Sequence, residues 1–138
     1  MKSEPDAYGI DDLRHEGTTL WDGIRNYLAR NNMREMKLGD LGFFYHSNIG
    51  KEVVGVVEVC QEIHPDTTTD DPRWECVDVK AVCDMPKPVT LADVKATESL
   101  SQMSLVTSMR LSVQPVTPEE WEIVCRMGGL DPADLPGR

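Results

Sequence analysis

No stretch of the 138-residue sequence approaches the roughly 18 consecutive apolar residues that a membrane-crossing helix needs. The opening Met1-Lys2-Ser3-Glu4-Pro5 lacks the apolar stretch of a secretory signal. Neither a membrane partner nor export is therefore expected. Cysteine is sparse: Cys60, Cys76, Cys83 and Cys125 form no Cys-x-x-Cys pair, which removes zinc-ribbon and redox-motif readings. They read instead as small apolar thiols, kept reduced in a cytoplasmic protein. The ten glycines are scattered, so no phosphate-cradling loop is present, and no Gly-x-Ser-x-Gly elbow occurs. Positive charge is also short, with 14 Lys and Arg against 24 Asp and Glu, a net of −10.

What remains fits one domain with one core: the length suits a single unit, and 40% hydrophobic residues can fill it. Residues 1–130 are expected to form that domain and 131–138 a frayed tail. A short helical turn is predicted at Ile10–Leu13 and a helix over Gly23–Arg34, capped by Asp22, with Ile24, Tyr27 and Leu28 at helical spacing. Leu41–His46 reads as a strand. Val53–Cys60 is rich in β-branched residues and reads as a largely buried strand, with Gly55 a bulge or a close approach. His64–Arg73 is an acidic, threonine-rich loop. Trp74–Asp84 alternates, with Val77, Val79 and Ala81 facing one way and Asp78 and Lys80 the other, until Met85-Pro86-Lys87-Pro88 ends it.

Thr90-Leu91-Ala92-Asp93 opens a short helix. Arg110–Val116 reads as a strand. Thr117-Pro118-Glu119-Glu120 is a full helix start, followed by a Trp121, Val124, Cys125 face and a Gly128-Gly129 stop. Strands and short helices interleave without regular crossover helices. The expected class is α+β: a mostly antiparallel, partly closed barrel with short helices at its rim.

Charge is uneven along the chain. Residues 20–51 hold five Lys and Arg against three Asp and Glu, 5 − 3 = +2, which leaves −12 for the remainder. The same segment contains the densest polar-aromatic cluster, Trp21 to Asn32. Trp21 and Tyr27 offer flat rings, Asn26 and Arg30 share a helix face, and Arg25, Asn31 and Asn32 add hydrogen-bonding groups. Asparagine is a mediocre helix former, so reading of a planar, hydrogen-bonding ligand competes here with a plain solvated helix. Trp21 is either a pocket wall or a core residue. Tyr45-His46-Ser47-Asn48 ends the Leu41 strand with four polar side chains, and strand ends are where barrel pockets open. His46 and Ser47 are adjacent on a strand, point to opposite faces and do not suit nucleophilic catalysis. His64, Asp66, Asp70 and Asp71 lack the spacing of a metal site and read as a solvated loop. No metal and no cofactor is expected.

The stretches Lys2-Ser3-Glu4-Pro5, Trp21–Tyr27 with Ala29-Arg30-Asn31, Phe43-Phe44-Tyr45-His46-Ser47, Val77-Asp78-Val79 and Arg110–Pro115 together resemble the EVE domain family, in the same order and over nearly the whole chain. The chain departs from the family at its front, where members carry aromatic and apolar residues of a first strand ahead of the Lys-Ser-Glu-Pro segment. The resemblance implies a PUA-like pseudo-barrel, a superfamily shared with YTH and SRA-type domains. It implies a non-catalytic module that binds nucleic acid carrying a modified base, with modified cytosine the leading ligand and DNA ahead of RNA. It further implies a base turned out into a pocket lined by Ser3, Trp21, Asn26, Tyr27, Tyr45, His46, Ser47 and Asn48. Arg25, Arg30, Asn31, Arg34 and Arg110 would hold flanking backbone. A monomer is expected. A small-metabolite binder is the rival reading, which the net charge favours; an enzyme on a PUA-like frame is the third.

Overall fold

A computed structural model describes residues 1–3, 9–21, 27–47, 50–107, 111 and 113–131. Five strands form one sheet in the order β1-β3-β4-β5-β2. They are β1 (Lys2–Ser3), β2 (Thr18–Leu20), β3 (Leu41–His46), β4 (Glu52–Pro65) and β5 (Glu75–Thr90). The β1–β3 pair is parallel and the other three are antiparallel. The sheet is open, with β1 and β2 at its edges. Among the described residues the helices are α1 (Ile10–Glu16), α2 (Tyr27–Arg34), α3 (Leu91–Ala96), α4 (Ser104–Thr107) and α5 (Pro118–Met127), with one 3₁₀ turn at Glu98–Leu100. None is long and apolar enough to cross a membrane.

Strand alternation divides the interior in two. On one face Phe43, Tyr45, Val53, Val56, Met85 and Val89 pack under α3, α4 and α5, with Trp121 stacked on Phe43 at 4.0 Å. On the other face Phe44, Val57, Val59, Val77 and Val79 pack under α1 and α2 through Leu13, Ala29 and Met33. Burial of this kind stabilises by ~25 cal/mol per Å² of apolar surface. It decides the register, because a slip of one residue along β3 would exchange the two sets.

The helix starts follow local chemistry. Thr90 accepts from Asp93 N at 3.0 Å and caps α3. Thr117 and Glu120 form a reciprocal capping box on α5, with Pro118 at the first position. At its far end, Gly129 takes φ 82°, a left-handed conformation that favours glycine.

Several expectations change in the structure: β4 runs on through His64 to Pro65, so the loop expected from His64 starts after it. The strand expected to end at Asp84 runs on through Pro86 and Pro88 to Thr90. The ladder shifts register between Val53 and Gly55, and prolines are tolerated at such irregularities because no ladder donor is needed there. The strand expected over Arg110–Val116 is absent among its described residues. Leu111 and Val113 are buried, but Asn32 Nδ2 donates to the Val113 carbonyl at 2.7 Å and the Gln114 side chain reaches the Ser104 carbonyl, so side chains replace a ladder. The turn at Ile10–Leu13 extends to Glu16. Asp22–Asn26, the start of the expected second helix, lies outside the described residues.

Gly55 marks a close approach. A Cβ there would lie 2.9 Å from the Cys83 carbonyl oxygen and 2.9 Å from Ile10 Cδ1. Gly55→Ala is expected to cost about 1–3 kcal/mol as β4, β5 and α1 are pushed apart. Urea unfolding measures it, and an unchanged midpoint would show that the contact is slack.

Candidate functional site

β3 sets the geometry of the site. Its C-terminal end lies between β1 and β4, with Ser3 paired to His46. The Ser47 amide donates to the Ser3 carbonyl at 2.8 Å. The backbone N–H of Ile10, at the start of α1, donates to His46 Nε2 at 3.0 Å. Nε2 is therefore the acceptor and the ring proton sits on Nδ1. Burial lowers the His46 pKa from its ordinary 6.5, opposed by the nearby Glu52 carboxylate; the neutral ring is the form that accepts from Ile10. His46 meets Phe44 edge to face at 5.6 Å, and Phe44 meets Trp21 the same way at 5.5 Å. Ser3, His46 and Trp21 thus belong to one neighbourhood at the α1 and α2 side of the sheet, which Ser47 joins through its backbone.

A second group lies on α2. Arg30, Asn31 and Arg34 project from it, with the Arg30 guanidinium 4.9 Å from the Tyr27 ring centre. Arg34 donates to Glu75 at 2.6 Å. Tyr27 is 50% exposed and also meets Trp74 at 5.1 Å. Its ring is already occupied by two neighbours. Arg73 donates to the Tyr27 hydroxyl at 3.3 Å. Arg73 and Trp74 sit in a threonine-rich loop with three aspartates, and composition alone carries no signal for them; the local cue is an aromatic beside an arginine.

The expected site residues are not all brought together. Tyr45 points to the opposite face, where it is buried under Trp121 and Met103, with Lys2 Nζ 5.8 Å from its ring centre. Burial raises the Tyr45 hydroxyl's pKa and lowers that of Lys2. A cavity of about 430 Å³ opens on that side, bounded by Lys2, Phe43, Tyr45, Met103, Leu105 and Trp121. The buried Trp121 Nε1 has no hydrogen-bond partner among the described residues. Trp21 is only 6% exposed and belongs to the core. Arg25, Asn26, Asn48 and Arg110 lie outside the described residues.

One arrangement superficially suggests catalysis. His64 Nε2 is 2.7 Å from Asp78 Oδ1, and Cys76 Sγ lies 3.9 Å and 4.0 Å from the two ring nitrogens. The near-equal distances place sulfur beside the ring rather than along one lone pair. Cys76 is fully buried, which denies a substrate access. Among the described residues no group of three or more His, Cys, Asp or Glu side chains could hold a metal.

Two outcomes follow from this geometry. Trp21→Ala is expected to cost about 3–5 kcal/mol, since it empties a core position beneath the site; a midpoint in urea like that of the parent chain would place the ring outside the core. The unfolded chain takes up a proton at His46 before the folded chain does. His46 therefore favours the fold fully above about pH 6.5, and stability declines as pH falls from there through the folded value. His46→Gln should flatten that part of the stability profile, and identical profiles for both chains would contradict the assignment.

Comparison with known proteins gives a consistent family. The EVE domain model matches residues 1–127. Human thymocyte nuclear protein 1 is 36% identical over 96% of this chain and 74% of its own length. The crystal structure of protein Atu2648 from Agrobacterium tumefaciens superposes with a TM-score of 0.96 at 58% identity, covering 99% of this chain and 96% of that one. The crystal structure of human THYN1 protein in complex with DNA containing 5-methylcytosine superposes with a TM-score of 0.89 at 36% identity, covering 96% and 97%. On its family match and on its likeness along the whole fold, the chain belongs to the EVE domain family.

Proposed function

We propose that the chain is a non-catalytic module that binds DNA carrying modified cytosine and takes the modified base, turned out of the helix, at the C-terminal end of β3. The observation that carries this reading is the likeness, at 36% identity and a TM-score of 0.89, to a structure of human THYN1 protein holding DNA with 5-methylcytosine. On this reading the open sheet and its rim helices correspond to a PUA-like pseudo-barrel, and the protein works as a cytoplasmic monomer.

The energetics constrain the roles. Turning a base out costs a few kcal/mol of stacking and pairing. An aromatic stack returns about 1–3 kcal/mol per base, so edge hydrogen bonds and backbone contacts must supply the surplus. The Ser3 hydroxyl and the His46 Nδ1–H are the donors on the α1 side of the strand end. Trp21, edge-on to Phe44, supports the site from below. Arg30 and Arg34 hold the flanking backbone in exchange for their present partners.

Equilibrium binding at low salt tests the reading, using matched DNA and RNA oligonucleotides with and without 5-methylcytosine or 5-hydroxymethylcytosine. Tighter binding to modified DNA is expected, with a preference that shrinks in Ser3→Ala. Equal affinity for modified and unmodified strands would refute base reading.

A second reading has its own support. The 430 Å³ cavity on the Tyr45 and Trp121 side falls within the size range of small-ligand sites, and a net charge of −10 does not by itself attract polyanions. Failure to bind any nucleic acid, even at low salt, would shift the assignment to a small metabolite in that cavity.

A further inference from the structure

The residues joining β4 to β5 fold onto α2 and build a four-member ladder: Arg73, Trp74, Tyr27, Arg30. The Arg73 guanidinium lies 6.0 Å from the Trp74 ring centre, the Trp74 and Tyr27 rings are 5.1 Å apart and tilted by 33°, and Arg30 covers Tyr27 at 4.9 Å. Two hydrogen bonds cross the ladder, from Arg73 to the Tyr27 hydroxyl at 3.3 Å and from Arg30 to the Arg73 carbonyl at 2.8 Å. The loop is tied down at its start, where Asp66, 2% exposed, accepts from the Thr68 amide at 2.8 Å and its hydroxyl at 2.5 Å. Asp66 N also donates to the Trp74 carbonyl at 3.1 Å.

The ladder is exposed: the Arg73 side chain is 61% accessible. Its two guanidinium groups are fixed but not saturated. A guanidinium has five N–H donors. Arg73 uses Nε and one NH2 hydrogen on Asp71 and one NH1 hydrogen on Tyr27. Arg30 uses Nε and one NH2 hydrogen on Asn31 and one NH1 hydrogen on the Arg73 carbonyl. Among the described residues each keeps two donors beyond these bonds. With Asp66 buried, counting Arg30, Arg34 and Arg73 against Asp70, Asp71 and Glu75 gives 3 − 3 = 0, a locally neutral patch on a chain of net −10. A planar fork held flat suits phosphate oxygens and loses little freedom on binding. Tyr27 already has Trp74 and Arg30 packed against its ring, so its role in the ladder is to join the two arginines.

We propose that Arg73 and Trp74, with Tyr27 and Arg30, form a docking surface for the phosphodiester backbone of DNA, separate from the base site at the end of β3. This rests on the nucleic-acid reading above. Arg73 contacts phosphate, and Trp74 is a positioning residue that holds the two guanidinium groups apart and in plane.

The test is the salt dependence of binding to paired 5-methylcytosine and unmodified duplexes. Each lost phosphate contact lowers the slope of log affinity against log salt by about 0.9. Arg73→Gln should weaken both duplexes alike, lower the slope by about that amount and leave their affinity ratio unchanged, while Arg73→Lys keeps the slope. Asp71→Asn, which removes the neutralising carboxylate, should strengthen both, so the surface is read even where Arg73→Gln folds poorly. An unchanged slope in Arg73→Gln and Asp71→Asn would reduce the ladder to a clamp between loop and helix. A changed ratio would move Arg73 into the base site and overturn the separation. If the parent chain binds both duplexes equally, base reading fails while the slopes still decide the docking surface; if it binds neither, both fail.

Discussion

The alternation of side chains along β3 is the constraint on which the rest of the molecule depends. Phe43 and Tyr45 enter one core and Phe44 the other, with His46 beside it. That single strand holds both helical layers in register, because neither layer can slide without moving an aromatic ring into the wrong face. It also fixes where polar groups collect. At its C-terminal end the strand runs out of core partners, and His46 and Ser47 meet β1 and the first turn of α1 instead. The EVE domain's candidate base site is thus a consequence of where β3 stops being buried.

The same constraint explains what could be read from the sequence. The β-branched run at Val53–Cys60, the alternation at Val77–Ala81 and the capping box at Thr117–Glu120 carry their structure locally, and all three appear as expected. Gly55 was legible as a close approach, although not against which atoms. Periodicity gave no access to β1 and β2, which are too short to show any and exist only because β3 and β5 offer free edges. Pro86 and Pro88 were read as a stop because the sequence cannot show a register shift in a partner strand.

The site was legible as a list of residue types and less so as an arrangement. Tyr45 and His46 are neighbours in sequence and lie on opposite faces of the sheet, which alternation implies once the strand is fixed. Trp21 left two readings open, and burial against Phe44 places it in the core. Arg73 and Trp74 escaped notice because they sit in an acidic loop, and only the tertiary contact with Tyr27 joins them to α2. That contact also bears on the net charge: it brings arginines from distant segments together on an acidic chain.

The measurement that bears most directly on the account is an amide chemical-shift map recorded while a 5-methylcytosine duplex is added. Shifts are expected to gather at the amides of Ser3, Ile10, His46 and Ser47, around the C-terminal end of β3. Shifts confined to Met103, Leu105 and Trp121, around the cavity on the opposite face, would contradict it and place the ligand in the other half of the molecule.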